Sequence, residues 1–165
     1  MNYLLLVSTF FATLGCGLMA GLFFTSSNFV MKGLGNLSPV KGIAAMQSIN
    51  LAVLNPLFLT IFLATAVACL ISMIFAITRW HDPGSGCLFV GGLLYVVGTF
   101  LVTIVFNVPL NETLATVNPE SADAVSLWHY YLSRWTDWNH ARTITALAAT
   151  ASLTIALCNP RRLVG

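Results

Sequence analysis

Indole rings, an amide and a guanidinium are brought together by spacing in one short stretch of this chain. Trp128, Tyr131, Trp135, Trp138, Asn139 and Arg142 fall on an arc of roughly 120° at helical spacing, and Ala146 continues the stripe. Such a stripe suits a flat, hydrophobic molecule, with rings to stack on it and a cation to stabilise an anion formed from it. Trp128 and Tyr131 read as part of an interfacial aromatic belt. Trp135, Trp138, Asn139 and Arg142 read together as a pocket wall. An arginine at membrane depth needs a partner or water, so an inward Arg142 is a functional residue, whereas an outward one snorkels to the headgroups. His140 is the candidate general base by its pKa range, although the same wheel puts it roughly 140° from Trp135.

Amides recur elsewhere. Asn107 and Asn111 flank Pro109 in Asn107-Val108-Pro109-Leu110-Asn111-Glu112. Gln47 and Asn50 are three apart and share a helix face; they either cap backbone groups freed at Pro56 or point into a polar pocket at the mouth of the helices. With Asn139, these amides could orient a substrate but could not take its proton. His129 and His140 are separated by about 16 Å along a helix and cannot grip one metal ion together, and no metal-protease spacing appears. No metal site is expected, while a haem held by one histidine stays open. The four cysteines include no C-x-x-C pair, which argues against thiol redox chemistry, and they read as small apolar residues.

The elements that must position these residues follow from composition. Of 165 residues, 58% are hydrophobic and 7% charged, against about 25% charged in soluble domains. A water-soluble globule and a disordered chain are both excluded. A net charge of +2, with scattered basic residues, excludes a nucleic-acid partner. The lipid bilayer is the solvent. Uncharged runs cover residues 1–31, 42–78, 83–111 and 143–160, each long enough to hold a span of about 20 residues. Spans are expected at about 3–24, 57–77, 87–106 and 143–158. The first lacks a basic leader and reads as retained rather than cleaved.

Ser38-Pro39 signals a helix start within the first loop, and Asn55-Pro56 a break before the second span. Pro109 is expected to stop the third helix. Asn118-Pro119-Glu120 then opens a helix over about 119–142 that runs into the fourth span. The residues Arg79-Trp80-His81-Asp82-Pro83-Gly84 form an interfacial turn. Gly17 and Gly21, with Gly15 nearby, and Ala148, Ser152 and Ala156 mark close helix packing, used within one chain or in a homo-oligomer. The fold class is all-α: an integral membrane four-helix bundle with a partly helical first loop and an extended fourth helix, one transmembrane domain over residues 1–165. The terminal pair Arg161-Arg162 favours a plasma-membrane protein with both termini cytoplasmic.

Asn107-Val108-Pro109-Leu110-Asn111-Glu112, followed by Trp128, Tyr131 and Trp135-x-x-Trp138-Asn139-His140-x-Arg142-Thr143, resembles the anthrone oxygenase-like family of small four-span membrane proteins. Met46-Gln47-x-x-Asn50 ahead of Asn55-Pro56 is similar to that family's pattern before its second span. The resemblance covers nearly the whole chain. It implies the four-span fold and, as in some fungal members, oxidation of an anthrone to an anthraquinone by dioxygen with no evident cofactor; most bacterial-type members have no assigned function.

Three functions fit these residues. In the first, an oxygenase acts on a flat, enolisable small hydrophobic molecule, with His140 as base, Arg142 as anion stabiliser, and Gln47, Asn50, Asn107, Asn111, Trp135, Trp138 and Asn139 binding substrate. In the second, the chain is a non-catalytic membrane protein, binding a hydrophobic ligand or acting as an oligomeric scaffold. The third is a haem or quinone redox protein. Proton-coupled transport is disfavoured because no span carries a carboxylate.

Overall fold

A computed structural model describes residues 3–158, with the Arg161-Arg162 pair outside them, and the described residues are mainly helical with no strand. Helix α1 runs Tyr3–Gly35, α2 Pro39–Val53, α3 Pro56–Thr78, α4 Ser85–Ala115 and α5 Ala124–Cys158. All but α2 are long and apolar enough to cross a bilayer. Hydrocarbon offers no partner to backbone N–H and C=O groups, so apolar runs of this length satisfy them internally as helices. The bundle is therefore that of an integral membrane protein, of the class the composition required.

Two apolar cores are stacked along the bundle. The larger lies among the membrane helices and includes Cys16, Met19, Phe62, Cys69, Tyr95 and Leu153. The smaller forms a cap where α2 packs against the distal ends of α1, α4 and α5, with Met31, Ile43, Met46, Leu114, Trp128, Tyr131 and Trp135 inside it. Trp128 and Tyr131 stack nearly parallel, 5.8 Å between centroids. Both are buried, so they hold the cap together instead of lying in a headgroup belt.

The helices approach closely at glycines, though not at the pair the spacing suggested. Gly21 has nothing within 4 Å of where a Cβ would stand, and at Gly17 the nearest atom is Thr150 Cγ2 at 3.7 Å. The tight contact on α1 is Gly15, where a side chain would overlap Thr65 of α3. On α4, a Cβ at Gly92 would lie 2.7 Å from the Cys69 backbone oxygen, and one at Gly91 2.7 Å from Leu153 Cγ. Small residues let backbones meet where lipid supplies no hydrophobic drive.

Pro109 does not stop its helix. Residues Thr103–Asn107 form a π-helical turn and Pro109 falls in the first turn of the α-helical segment Val108–Ala115. The change of turn type removes the need for an N–H at that position, so α4 continues into the cap. Conversely, α5 starts later than expected. Residues 119–123 are turns, with Asn118 Oδ1 accepting from Glu120 N at 3.1 Å and Ser121 N donating to Asn118 O at 3.0 Å, and the helix begins at Ala124. Asn118 closes a local turn in place of capping a helix.

Asn55 caps α3 itself, accepting from Phe58 N at 3.0 Å. Gln47 is thereby free for another task. Its Nε2 donates to Leu114 O at 2.9 Å and Val117 O at 3.0 Å, which ties α2 to carbonyls at the C-terminal end of α4. Gln47→Leu leaves both carbonyls without that donor and is expected to cost about 1–3 kcal/mol, read as a lower unfolding midpoint in detergent.

Candidate functional site

Between the two cores lies a layer of polar side chains, and it coincides with the irregular turns. The π segment Ser26–Val30 lies there on α1, and Val96–Leu101 and Thr103–Asn107 lie there on α4. Such turns redirect side chains that a regular helix would aim elsewhere, and they recur at functional sites. From α5, Asn139 is fully buried. Its Nδ2 donates to Phe23 O at 2.6 Å and to Ser27 Oγ, tying α5 to α1 where the π segment begins. Its Oδ1 accepts a bond from Arg142 Nη2.

Arg142 is 4% exposed. Its Nη1 donates to Thr103 Oγ1 at 3.2 Å. The guanidinium carbon stands 4.3 Å from the Phe23 ring centroid and 5.4 Å from that of Trp135, both within cation–π range. Asn107 Nδ2 donates to Trp135 O at 3.2 Å. Every partner of the cation is neutral, which is costly for a buried charge unless an anion joins it.

A cavity of about 400 Å³ opens against this layer, a size within the roughly 300–1,000 Å³ of small-molecule sites. Arg142, Trp135, Asn107, Asn111 and Asn50 face it, among a predominantly apolar wall that includes Phe23, Met31, Met46, Val53 and Phe58. No acidic side chain and no histidine lines it. Four of the buried polar atoms without a hydrogen-bond partner belong to these lining residues: Arg142 Nε, Trp135 Nε1, Asn50 Nδ2 and Asn107 Oδ1. Asn50 lies beside the Tyr131 hydroxyl without forming a bond of good geometry to it. That hydroxyl donates instead to Asn111 Oδ1 at 2.8 Å. The cavity thus presents mainly donors to an apolar space, which suits a hydrophobic ligand carrying acceptor oxygens. Among the described residues no three His, Cys, Asp or Glu side chains come together, so the reagents here are amides, hydroxyls and one guanidinium.

The structure brings Asn50, Asn107, Asn111, Trp135, Asn139 and Arg142 together and leaves three of the expected residues apart. Gln47 is engaged in tying α2 to α4. Trp138 stacks face to face on Phe106, centroids 3.6 Å apart, on the outer flank of α5. His140 is exposed and does not line the cavity, because its position on the helix turns it away from the Asn139–Arg142 face. His140→Ala is accordingly expected to leave unfolding and any ligand affinity of the cavity within about twofold, since exposed substitutions away from packed features cost within ±0.5 kcal/mol.

Phe23, Ser27 and Thr103 belong to the site and were not singled out from sequence. Ser26-Ser27 closing an apolar run, and Thr99 with Thr103 four apart inside another, were the available signals: hydroxyls placed at helical spacing in lipid-embedded segments.

The match to known proteins agrees with this geometry. Residues 44–152 fit the family model described as anthrone oxygenase, more than half of the chain. The chain belongs to the anthrone oxygenase family. The matched region takes in every cavity residue contributed by α3, α4 and α5 and those of α2 from Met46 onward, whereas the α1 wall with Phe23 and Ser26 precedes it. No curated protein and no solved structure matches the chain.

Proposed function

We propose that this member of the anthrone oxygenase family oxidises a planar, hydrophobic, anthrone-like compound with dioxygen inside the membrane. The observation that carries the reading is Arg142, buried among neutral partners and facing an apolar cavity. A preorganised cation in a water-poor site stabilises an anion that forms on the ligand far better than water does. The CH₂ of an anthrone loses a proton to give an extended phenolate-like anion, whose oxygen would sit against Arg142 with a ring face towards Trp135. The proton leaves by the cavity mouth to a base in solution, since neither carboxylate nor imidazole lines the cavity. The anion passes one electron to dioxygen, the radical pair joins through a C–O bond, and the resulting peroxide loses water. One CH₂ and one O₂ become one ring carbonyl and one H₂O. In this reading the membrane is the plasma membrane, both termini are cytoplasmic and the cap lies on the opposite side.

The lack of a proton acceptor in the cavity lining favours a second reading, a non-catalytic binder of the same class of ligand. Anthrone-dependent oxygen uptake in lipid nanodiscs, with one O₂ consumed per anthraquinone formed and a rate above protein-free nanodiscs, is the result expected of the oxygenase. Saturable anthrone binding with no uptake above that background establishes the binder instead. A Soret band in the purified protein would displace both in favour of a haem protein.

A further inference from the structure

Trp138, which the structure removes from the cavity, walls a second hollow of about 390 Å³ on the outer flank of α4 and α5. Val105, Phe106 and Trp138 line its end towards the membrane helices, Arg134 stands midway, and Leu110 and Tyr130 continue it towards the cap. Val105, Phe106 and Tyr130 are exposed, as groups facing lipid are. The rigid Phe106–Trp138 stack gives the hollow a fixed wall.

Depth along the bundle decides what can fill it. Leu51, Leu54 and Leu57 around the α2–α3 corner are 76%, 62% and 72% exposed, so hydrocarbon reaches that corner. Phe58 and Arg142 line one cavity beside it. Arg134 lies about 12 Å further along α5 than Arg142, towards the cap. The uncharged stretch of α5 begins at Thr143, and Arg134 lies beyond it where exposed charge returns to the helix, as at headgroup depth. Arg134 forms no hydrogen bond or ion pair among the described residues, and Asp137, one turn on, is exposed and does not pair with it.

We propose that this groove binds one phospholipid, its phosphate on the Arg134 guanidinium and an acyl chain along Val105, Phe106 and Trp138. Guanidinium matches phosphate oxygens two at a time, and Tyr130, on the cap side of Arg134, is of a type that settles at headgroup depth. A second copy of the chain would have to bring an acidic group above an apolar ridge to the same place, whereas a phospholipid supplies both by its constitution. This site does not depend on the oxygenase reading.

The test is native mass spectrometry of the full chain, delipidated in detergent and titrated with phosphatidylglycerol, with diacylglycerol of the same chains, or with glycerol phosphate. One phosphatidylglycerol per chain is expected to be retained, with diacylglycerol binding at least about tenfold more weakly, the loss of a charge-assisted hydrogen bond being of that order, and glycerol phosphate at least as weakly, because it has no acyl chain to bury. Arg134→Gln, an exposed change, is expected to abolish the preference for phosphatidylglycerol over diacylglycerol. Val105→Trp, which fills the chain-binding side, is expected to weaken both. Equal retention of phosphatidylglycerol by the parent and Arg134→Gln proteins overturns the proposal, as does an Arg134-dependent dimer that excludes lipid.

Discussion

Arg142→Met is expected to lower anthrone-dependent oxygen uptake about 100- to 1,000-fold, the range seen when one preorganised oxyanion donor is removed, while leaving the fold intact. The two effects separate because the partners of the guanidinium are neutral. Removing one member of a buried ion pair strands the other charge, but here the substitution would leave behind only Asn139 Oδ1 and Thr103 Oγ1. Thr103 borders the cavity, and the loss of a donor by both acceptors is set against relief from burying a cation. A change in unfolding free energy of less than about 2 kcal/mol is therefore expected. Methionine also keeps the length that packs against Phe23 and Trp135. Oxygen uptake measured alongside the unfolding midpoint checks both halves. Full turnover in Arg142→Met would remove the guanidinium from the chemistry. If ligand binding falls but no uptake exists in the parent protein, Arg142 serves a binder.

The largest structural effect is expected at Gly92. Gly92→Leu should destabilise the bundle by about 3 kcal/mol, at the upper end for overpacked sites, because the new Cβ would stand 2.7 Å from the Cys69 backbone oxygen. A backbone oxygen within a helix cannot swing aside as a side chain can, so α3 and α4 must separate along the contact they share. Gly21→Leu is the matched comparison, since nothing lies within 4 Å of a Cβ there; it should change the unfolding midpoint by less than the equivalent of about 0.5 kcal/mol. Had the Gly17-x-x-x-Gly21 spacing marked the packing face, the two variants would behave in the opposite order. Denaturation of both in the same detergent distinguishes the cases.

The irregular turns explain why parts of the site were hidden. Pro109 read as a helix stop because a regular helix has no place for it, yet the π-helical turn at Thr103–Asn107 carries α4 past it and places Asn107 and Thr103 beside Arg142. A wheel drawn at a constant 100° cannot follow such a turn. The same wheel worked along α5, where the helix is continuous over Ala124–Cys158, and it put Trp135, Asn139 and Arg142 on one face, where they are found. It erred at Trp138, which sits at the margin of the arc, because that edge of the stripe meets Phe106 on α4 and not the cavity. The polar contacts of Gln47 with Leu114 O and Val117 O join residues far apart in the chain, and local spacing holds no record of them.

The sequence by itself determined the solvent, the number of spans and the membership of this chain in its family. Each follows from interactions within one helix or between a helix and lipid: apolar runs must become helices in hydrocarbon, and charges mark where they leave it. Only the tertiary structure decided that Arg142 faces inward, that Asn139 holds it while tying α5 to α1, and that His140 lies outside. Those outcomes depend on which face each helix turns to its neighbours, and that is set by contacts such as Gly15 with Thr65 and Gly92 with Cys69, made between residues that the chain order keeps apart.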